Sequence, residues 1–195
     1  MNREIFNQIK QNALEDHIPI IMDDTLEAIA QFLEKEKPYR FLEIGTAVGY
    51  SAICFSKFLA ENGKIDTIEL DEERAKIAIE NIKKLELQSK INVMQGNAVD
   101  ILPTLEPEYD VAFIDAAKGK YPIFLTETMR LVKKNGLIFA DNILYKGYVL
   151  GDYNKHKQRT AVNHLREYIK MATEDENLET QILEVGDGLA VSRKK

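Results

Sequence analysis

Two stretches of this sequence gather the residue types from which a reactive site is built. The first is Phe41-Leu42-Glu43-Ile44-Gly45-Thr46-Ala47-Val48-Gly49-Tyr50-Ser51, an apolar run that enters a glycine turn and then a helical pattern. Gly45 lets the backbone approach a ligand, and Gly49 relieves crowding where the helix starts. The spacing is G-x-x-x-G and lacks the middle glycine of G-x-G-x-x-G, which disfavours a pyrophosphate ligand. A ligand with an adenosine but no phosphates fits better. Glu69, at the end of the next apolar run, is placed to accept hydrogen bonds from both ribose hydroxyls. An ordinary tight turn is the alternative reading of the two glycines.

The second constellation is Phe113-Ile114-Asp115-Ala116-Ala117-Lys118-Gly119-Lys120-Tyr121 together with Phe139-Ala140-Asp141-Asn142-Ile143-Leu144. Asp115, Asp141 and the Asn142 amide are hard oxygen ligands of the kind that Mg²⁺, Mn²⁺ or Ca²⁺ prefers, and zinc is a poor match. Helix capping is the alternative task for the two aspartates. Lys118, three residues beyond Asp115, is a candidate general base; the alternative is one more surface lysine.

The elements that must carry these residues alternate between short β runs and amphipathic helices. Helices are expected over residues 3–15 and, after the break at His17-Ile18-Pro19, through Leu26, Ile29, Ala30 and Leu33. Strand Tyr39–Ile44, a helix from about Tyr50 to Ala60 and strand Lys64–Leu70 make a βαβ unit. Asp71 then caps a helix over Arg74–Leu87, and strands follow at Ile91–Gln95 and Tyr109–Ile114. A helix over Tyr121–Val132 stops at Asn135-Gly136, and the fifth strand is Gly136–Ala140. A last helix near His156–Met171 precedes two β runs, Glu179–Val185 and Leu189–Ser192, close enough across Gly186-Asp187-Gly188 to form an antiparallel hairpin. The strand ends fall at Glu43, Glu69, Asp115 and Asp141. Ligands of open α/β sheets sit outside the carboxyl ends of the strands, so the site is expected there and Glu43 joins Glu69 as a cofactor-binding candidate.

Composition bounds the rest. The 195 residues are 45% apolar and 30% charged, with a net charge of −6, which fits one folded α/β domain over 1–195. The only cysteine, Cys54, cannot form an internal disulfide and reads as a small buried residue. No leader pattern opens the sequence and no uncharged run approaches a membrane span, so a cytoplasmic setting away from the membrane is expected. From Asp115 to Lys170 there are eleven Lys and Arg against five Asp and Glu, a local +6 within an acidic chain.

The segments LEIGTAVGYSA, TIEL, GNAVDILP, FIDAAKGKY, ADNILYKG and the terminal VGDGLAVSRKK, in this order, resemble the metal-dependent O-methyltransferases of class I fold that use S-adenosylmethionine, the catechol and caffeoyl-CoA type. Within that family the IDAAKGKY segment and the VGDGLA ending look most like bacterial tRNA 5-hydroxyuridine methyltransferases. The resemblance implies a Rossmann-like α/β fold, with a mainly parallel seven-stranded sheet, an antiparallel C-terminal hairpin, helices on both faces, and N-terminal helices within 1–36 over the site. It also implies that Gly45 and Ser51 hold the methionine end of the cofactor and Glu69 the ribose. Asn97 and Ala98 line the adenine, and Ile21 covers the cofactor. Asp115, Asp141 and Asn142 hold the metal, Asp115 lies near the cofactor amino group, and Lys118 is the base. Asn97 stands where the family often has aspartate. The first helix also begins close to residue 1, without much of the extension that many relatives carry, and a homodimer is expected by analogy.

Two acceptors satisfy the same chelation chemistry. In a tRNA anticodon loop, O4 and O5 of 5-hydroxyuridine are vicinal. Lys118, Lys120, Lys146, Lys155, Lys157, Arg159 and Arg166 could meet its phosphates, with Tyr145, Tyr148 and Tyr153 available to stack on bases. A small catechol-like phenol is the alternative, and a non-catalytic cofactor-binding protein is the alternative from another class. His17, His156 and His164 are scattered without metal-ligand spacing, and Asp187 reads as a hairpin-turn residue.

Overall fold

A computed structural model describes residues 2–151 and 158–195. The expectations placed on Tyr153, Lys155, His156 and Lys157 lie outside the described residues. The chain divides into two units, Met1–Ile101 and Leu102–Lys195.

In the first unit, helix α1 (Arg3–Glu15) starts behind Asn2, whose side chain accepts from the N–H groups of Glu4 and Ile5, and it buries Ile9 and Ala13. His17 takes a positive φ at the expected break, and α2 (Asp23–Glu36) buries Ile29 and Leu33. Then follow β1 (Arg40–Ile44), α3 (Tyr50–Phe55), β2 (Lys64–Glu69), α4 (Glu72–Lys84), β3 (Ile91–Gln95) and the single turn α5 (Ala98–Ile101). The strands are parallel, with Ile44 opposite Ile68 and Glu69 opposite Gln95. The loops that begin at Gly45, Leu70 and Gly96 therefore leave from one edge. Phe41 and Phe55, both fully buried, stack at 5.3 Å in this unit's core.

Two helices end earlier than their apolar pattern suggests. The expected helix to Ala60 stops at Phe55, because the Ser56 hydroxyl donates to the Ile53 carbonyl and the Ala60 N–H is drawn to Pro38 O. The expected helix to Leu87 stops at Lys84, where Glu86 turns left-handed and Leu87 N–H caps Ile82 O. Its start is as expected, with the Asp71 carboxylate accepting from Arg74 N–H.

The second unit contains β4 (Tyr109–Ile114), α6 (Tyr121–Leu131), β5 (Val132–Ala140), α7 (Arg159–Glu174), β6 (Leu178–Leu183) and β7 (Leu189–Lys194). Strands β4 and β5 are parallel and end in register, Ile114 opposite Ala140. Strand β7 runs antiparallel to β5 and forms the expected hairpin with β6. The strand order is β3-β2-β1 in the first unit and β4-β5-β7-β6 in the second, where β7 alone runs against its neighbours. Helix α6 packs on β4 and β5, and α7 packs on α6 and β6. Among the described residues no helix is long and apolar enough to cross a membrane.

Strand β5 begins at Val132, four residues before the expected Gly136. The pairing slips between Tyr109 and Val111, which lets Lys133, Lys134 and Asn135 bulge out before the ladder resumes at Leu137. Gly136 is the residue that permits the slip, since a Cβ there would lie 2.5 Å from Val132 Cγ1 and 2.6 Å from the Asp110 carbonyl oxygen. A Gly136→Ala substitution is expected to cost about 1–3 kcal/mol, by the usual measure of overpacking, or about 2–12 °C in Tm for a chain of this size. Thermal unfolding followed by circular dichroism checks this, and a shift under 1 °C contradicts it.

Candidate active site

The glycine turn after β1 is built by its neighbours' hydrogen bonds. Gly45 N–H and Thr46 N–H both donate to Ile68 O at the end of β2, at 3.0 and 3.2 Å. Gly45 and Gly49 take φ of 108° and 84°, conformations that an L side chain rarely adopts. A Cβ on Gly49 would also meet Ala78 Cβ at 3.4 Å, so this glycine lets α3 start close against α4. The Glu69 carboxylate ties the turn to the next loop: one oxygen accepts from Ala47 N–H at 2.7 Å, the other from Asp71 N–H at 2.9 Å. Each oxygen keeps acceptor capacity for a hydroxyl. Glu43 is fully buried and accepts from the Ser51 hydroxyl at 2.6 Å and from the Thr67 hydroxyl, which lies 2.6 Å from that of Thr46. A buried carboxylate is tolerable only with such partners.

The third loop joins this edge through Gly96 N–H, which donates to Glu69 O at 2.8 Å. Asn97 caps the short turn that follows, its Oδ1 accepting from Val99 N–H, and Ala98 is buried beside it. Glu43, Gly45, Ser51, Glu69, Asn97 and Ala98 are thus gathered at the carboxyl ends of β1, β2 and β3. Ile21, 5% exposed, sits in the segment between α1 and α2, outside this network.

In the second unit the register of β4 and β5 makes Asp115 and Asp141 the next residues of adjacent parallel strands. Asp141 is 1% exposed. Burial and then the charge of Asp115 push its carboxyl up to about 7, against a hydrogen bond from Asn142 N–H at 2.6 Å. Burial raises the Asp115 carboxyl as well, with Lys118 pulling the other way. Neither aspartate caps a helix. The turn over Lys118–Lys120 begins at Ala117 and α6 at Lys120, both without a side-chain cap, and no helix follows Asp141 among the described residues before α7.

Lys118 Nζ donates to Asn142 Oδ1 at 2.9 Å and lies 5.7 Å from the centre of the Tyr145 ring. Asn142 itself sits at φ 55°, in the left-handed region. The sequence reading therefore brings Asp115, Lys118, Asp141 and Asn142 together. It missed Tyr121, which is fully buried and donates its hydroxyl to Asp141 O at 2.8 Å, fixing the strand end. Its only sequence signal was an apolar helix position. Tyr145, available from sequence for stacking on bases, lies beneath the lysine.

Among the described residues no group of three or more His, Cys, Asp and Glu is gathered for a metal. The set is two carboxylates and an amide, all oxygen, which suits Mg²⁺, Mn²⁺ or Ca²⁺. Two carboxylates that burial and mutual repulsion make costly to ionise are what a divalent cation would relieve.

The basic stretch is partly committed to the fold. Arg166 donates to the carbonyls of Tyr148, Val149 and Gly151. Arg130 pairs with Glu127 and donates to Leu102 and Leu105 carbonyls, and Lys133 pairs with Asp110.

The family model described as O-methyltransferase matches residues 3–195. The chain belongs to the O-methyltransferase family. This O-methyltransferase is 35% identical over 159 residues to Tapetum-specific methyltransferase 1 of Arabidopsis thaliana, spanning 78% of this chain and 68% of that protein. With the catechol O-methyltransferase of Niastella koreensis it shares 34% identity over 176 residues, 86% of this chain and 77% of the relative. Its fold matches the O-methyltransferase of Bacillus cereus solved with SAH, at a TM-score of 0.89 and 24% identity, covering 100% of this chain and 92% of that one. An SAH-bound methyltransferase of Podospora anserina matches at 0.86 and 25% identity, covering 98% and 86%.

The raised Asp141 carboxyl has a consequence for stability. A folded-state value near 7 against an ordinary 3.8 means the folded protein holds a proton that the unfolded chain releases. That stabilisation is full below about pH 4 and is lost as pH rises through about 7. Metal-free protein is expected to lose melting temperature from pH 5 to pH 8, and Asp141→Asn to flatten that loss. Mn²⁺ should raise the melting temperature more at pH 8 than at pH 5.5, because only the ionised pair ligates. Scanning calorimetry of both proteins across this range checks the sign; a Mn²⁺ shift that is larger at pH 5.5 contradicts it.

Proposed function

We propose that this O-methyltransferase transfers the methyl group of S-adenosylmethionine to one of two vicinal oxygens of a small catechol-like phenol. The observation that carries the reading is the pairing of Asp115 and Asp141, with Asn142 Oδ1 and Lys118 beside them. The N. koreensis relative bears a catechol O-methyltransferase name, and both SAH-bound neighbours share the fold.

Gly45 and Ser51 hold the methionine end of the cofactor, the first through close backbone approach and the second through a hydroxyl oriented by Glu43. Glu69 accepts from the ribose hydroxyls with the lone pairs that its two backbone bonds leave over. Asn97 and Ala98 line the adenine, and Ile21 covers the cofactor. Asp115, Asp141 and Asn142 would hold a divalent cation, which would supply Lewis acidity at the acceptor oxygens. Lys118 takes the proton of the hydroxyl that attacks. The new O–CH₃ bond forms as the S–CH₃ bond breaks in line, and the sulfur leaves with the electron pair as a neutral thioether.

A second reading, 5-hydroxyuridine of a tRNA anticodon loop, is favoured by the exposed Lys120, Lys146, Arg159 and Lys170 within the basic stretch. Against it, the Arg166 guanidinium is engaged with three carbonyls.

Tritium transfer from labelled S-adenosylmethionine to catechol and to tRNA carrying 5-hydroxyuridine, each with Mg²⁺ and with EDTA, tests the proposal. Label in catechol that EDTA abolishes is the expected result. Label confined to tRNA, falling steeply with added salt, would replace the small acceptor by the nucleic acid. Lys118→Ala is expected to lower kcat about 10²–10⁴-fold at saturating substrates, the usual range for a lost general base. Full turnover in this variant removes the lysine from the mechanism.

A further inference from the structure

The loop that carries Asn142 and Tyr145 is bound along one side to the hairpin turn of β6 and β7. Ile143 N–H donates to Gly188 O at 3.0 Å and Leu144 N–H to Asp187 O at 3.0 Å. The Asp187 carboxylate reaches further and accepts from Lys146 N–H. Gly188 takes φ 88° and leaves the space that Leu144 fills, since a Cβ there would come within 2.4 Å of Leu144 Cγ. The loop held in this way is strained. Asn142, Tyr145, Lys146 and Gly147 all lie at positive φ, with 55°, 47°, 57° and 75°. Left-handed conformations of non-glycine residues persist only where the surroundings over-determine them. Three successive positive-φ residues also turn backbone N–H groups out of any helical or sheet partnership. Lys146 N–H finds its acceptor in Asp187.

We propose that Asp187 is a positioning residue for the metal-binding half of the site: by holding Lys146 N–H it keeps the Asn142–Tyr145 turn closed, so that Asn142 Oδ1 stays against Lys118 Nζ and the Tyr145 ring lies under Lys118. This rests on the metal reading of Asp115, Asp141 and Asn142 given above. The glycines on either side of Asp187 serve the same end. Gly186 and Gly188 both sit at positive φ and shape a turn tight enough to bring one side chain and two carbonyls onto the loop. A turn needed only to reverse the chain has no use for a carboxylate aimed at a backbone N–H of another loop, 41 residues earlier in the chain.

The test compares Asp187→Ala with Asp187→Asn, which keeps a carbonyl oxygen able to accept from Lys146 N–H. Hydrogen exchange of the metal-free proteins reads the loop directly, and Mn²⁺ titration followed by electron paramagnetic resonance reads the site. Asp187→Ala is expected to speed exchange at Ile143, Leu144 and Lys146 and to weaken Mn²⁺ binding about 10-fold or more, the scale for lost outer-shell support. Asp187→Asn should restore most of both. Wild-type exchange and wild-type Mn²⁺ affinity in Asp187→Ala overturn the proposal. So does faster exchange with unchanged affinity, or an Asn variant as impaired as the Ala variant. If the wild-type protein itself binds no Mn²⁺, the metal reading has failed, and exchange alone then decides whether Asp187 holds the loop.

Discussion

Two adjacent parallel strands that end in register, Ile114 opposite Ala140, place two aspartates side by side where water is scarce. Almost everything in the second unit follows from keeping that arrangement intact. Parallel pairing alone sets both carboxylates at one edge. Asp141 is almost fully buried, and burial with the charge of Asp115 leaves its carboxyl pushed up to about 7. An isolated pair of this kind destabilises the fold, which is the sign expected of a site shaped for a ligand rather than for stability. Lys118, Asn142 and Tyr121 surround the pair with one cation, one amide and one hydroxyl, and each is held by a hydrogen bond to the others or to the strand end.

The first unit solves a different problem with similar means. Its three loops leave a parallel edge, and Glu69 binds them together through its side chain on both flanks and its carbonyl on the third. Glu43 lies one layer deeper and holds Ser51 and Thr67. The carboxylates of this half accept hydrogen bonds, Glu69 from backbone N–H groups and Glu43 from buried hydroxyls, whereas those of the other half repel each other. That contrast in chemistry separates a surface suited to hydroxyls and amines from one suited to a divalent cation.

Much of this was legible in the sequence, because the strands are bounded by sharp signals. Ile91–Gln95 and Tyr109–Ile114 fall at the expected residues, and so does the capping of α4 by Asp71. The site residues could be gathered because a strand end followed by Asp or Glu is a local pattern. What stayed hidden depends on contacts between distant segments. The early ends of α3 and α4 reflect a serine back-bond and a left-handed Glu86, and the slip at the start of β5 reflects a close approach of Gly136 to Asp110. Arg166 reads as a surface cation until its loop is seen to wrap around it. Asp187 reads as a turn residue until Lys146 is found against it.

The proposed reaction turns on chelation, by a vicinal pair of oxygens, of a cation held by Asp115, Asp141 and Asn142. The most direct measurement is the water-proton relaxation of the Mn²⁺-loaded protein with SAH bound, titrated with catechol and in parallel with phenol. With chelation by both oxygens, catechol lowers the relaxivity as it displaces coordinated water and phenol leaves it unchanged. Catechol that is methylated without altering the relaxivity would contradict chelation.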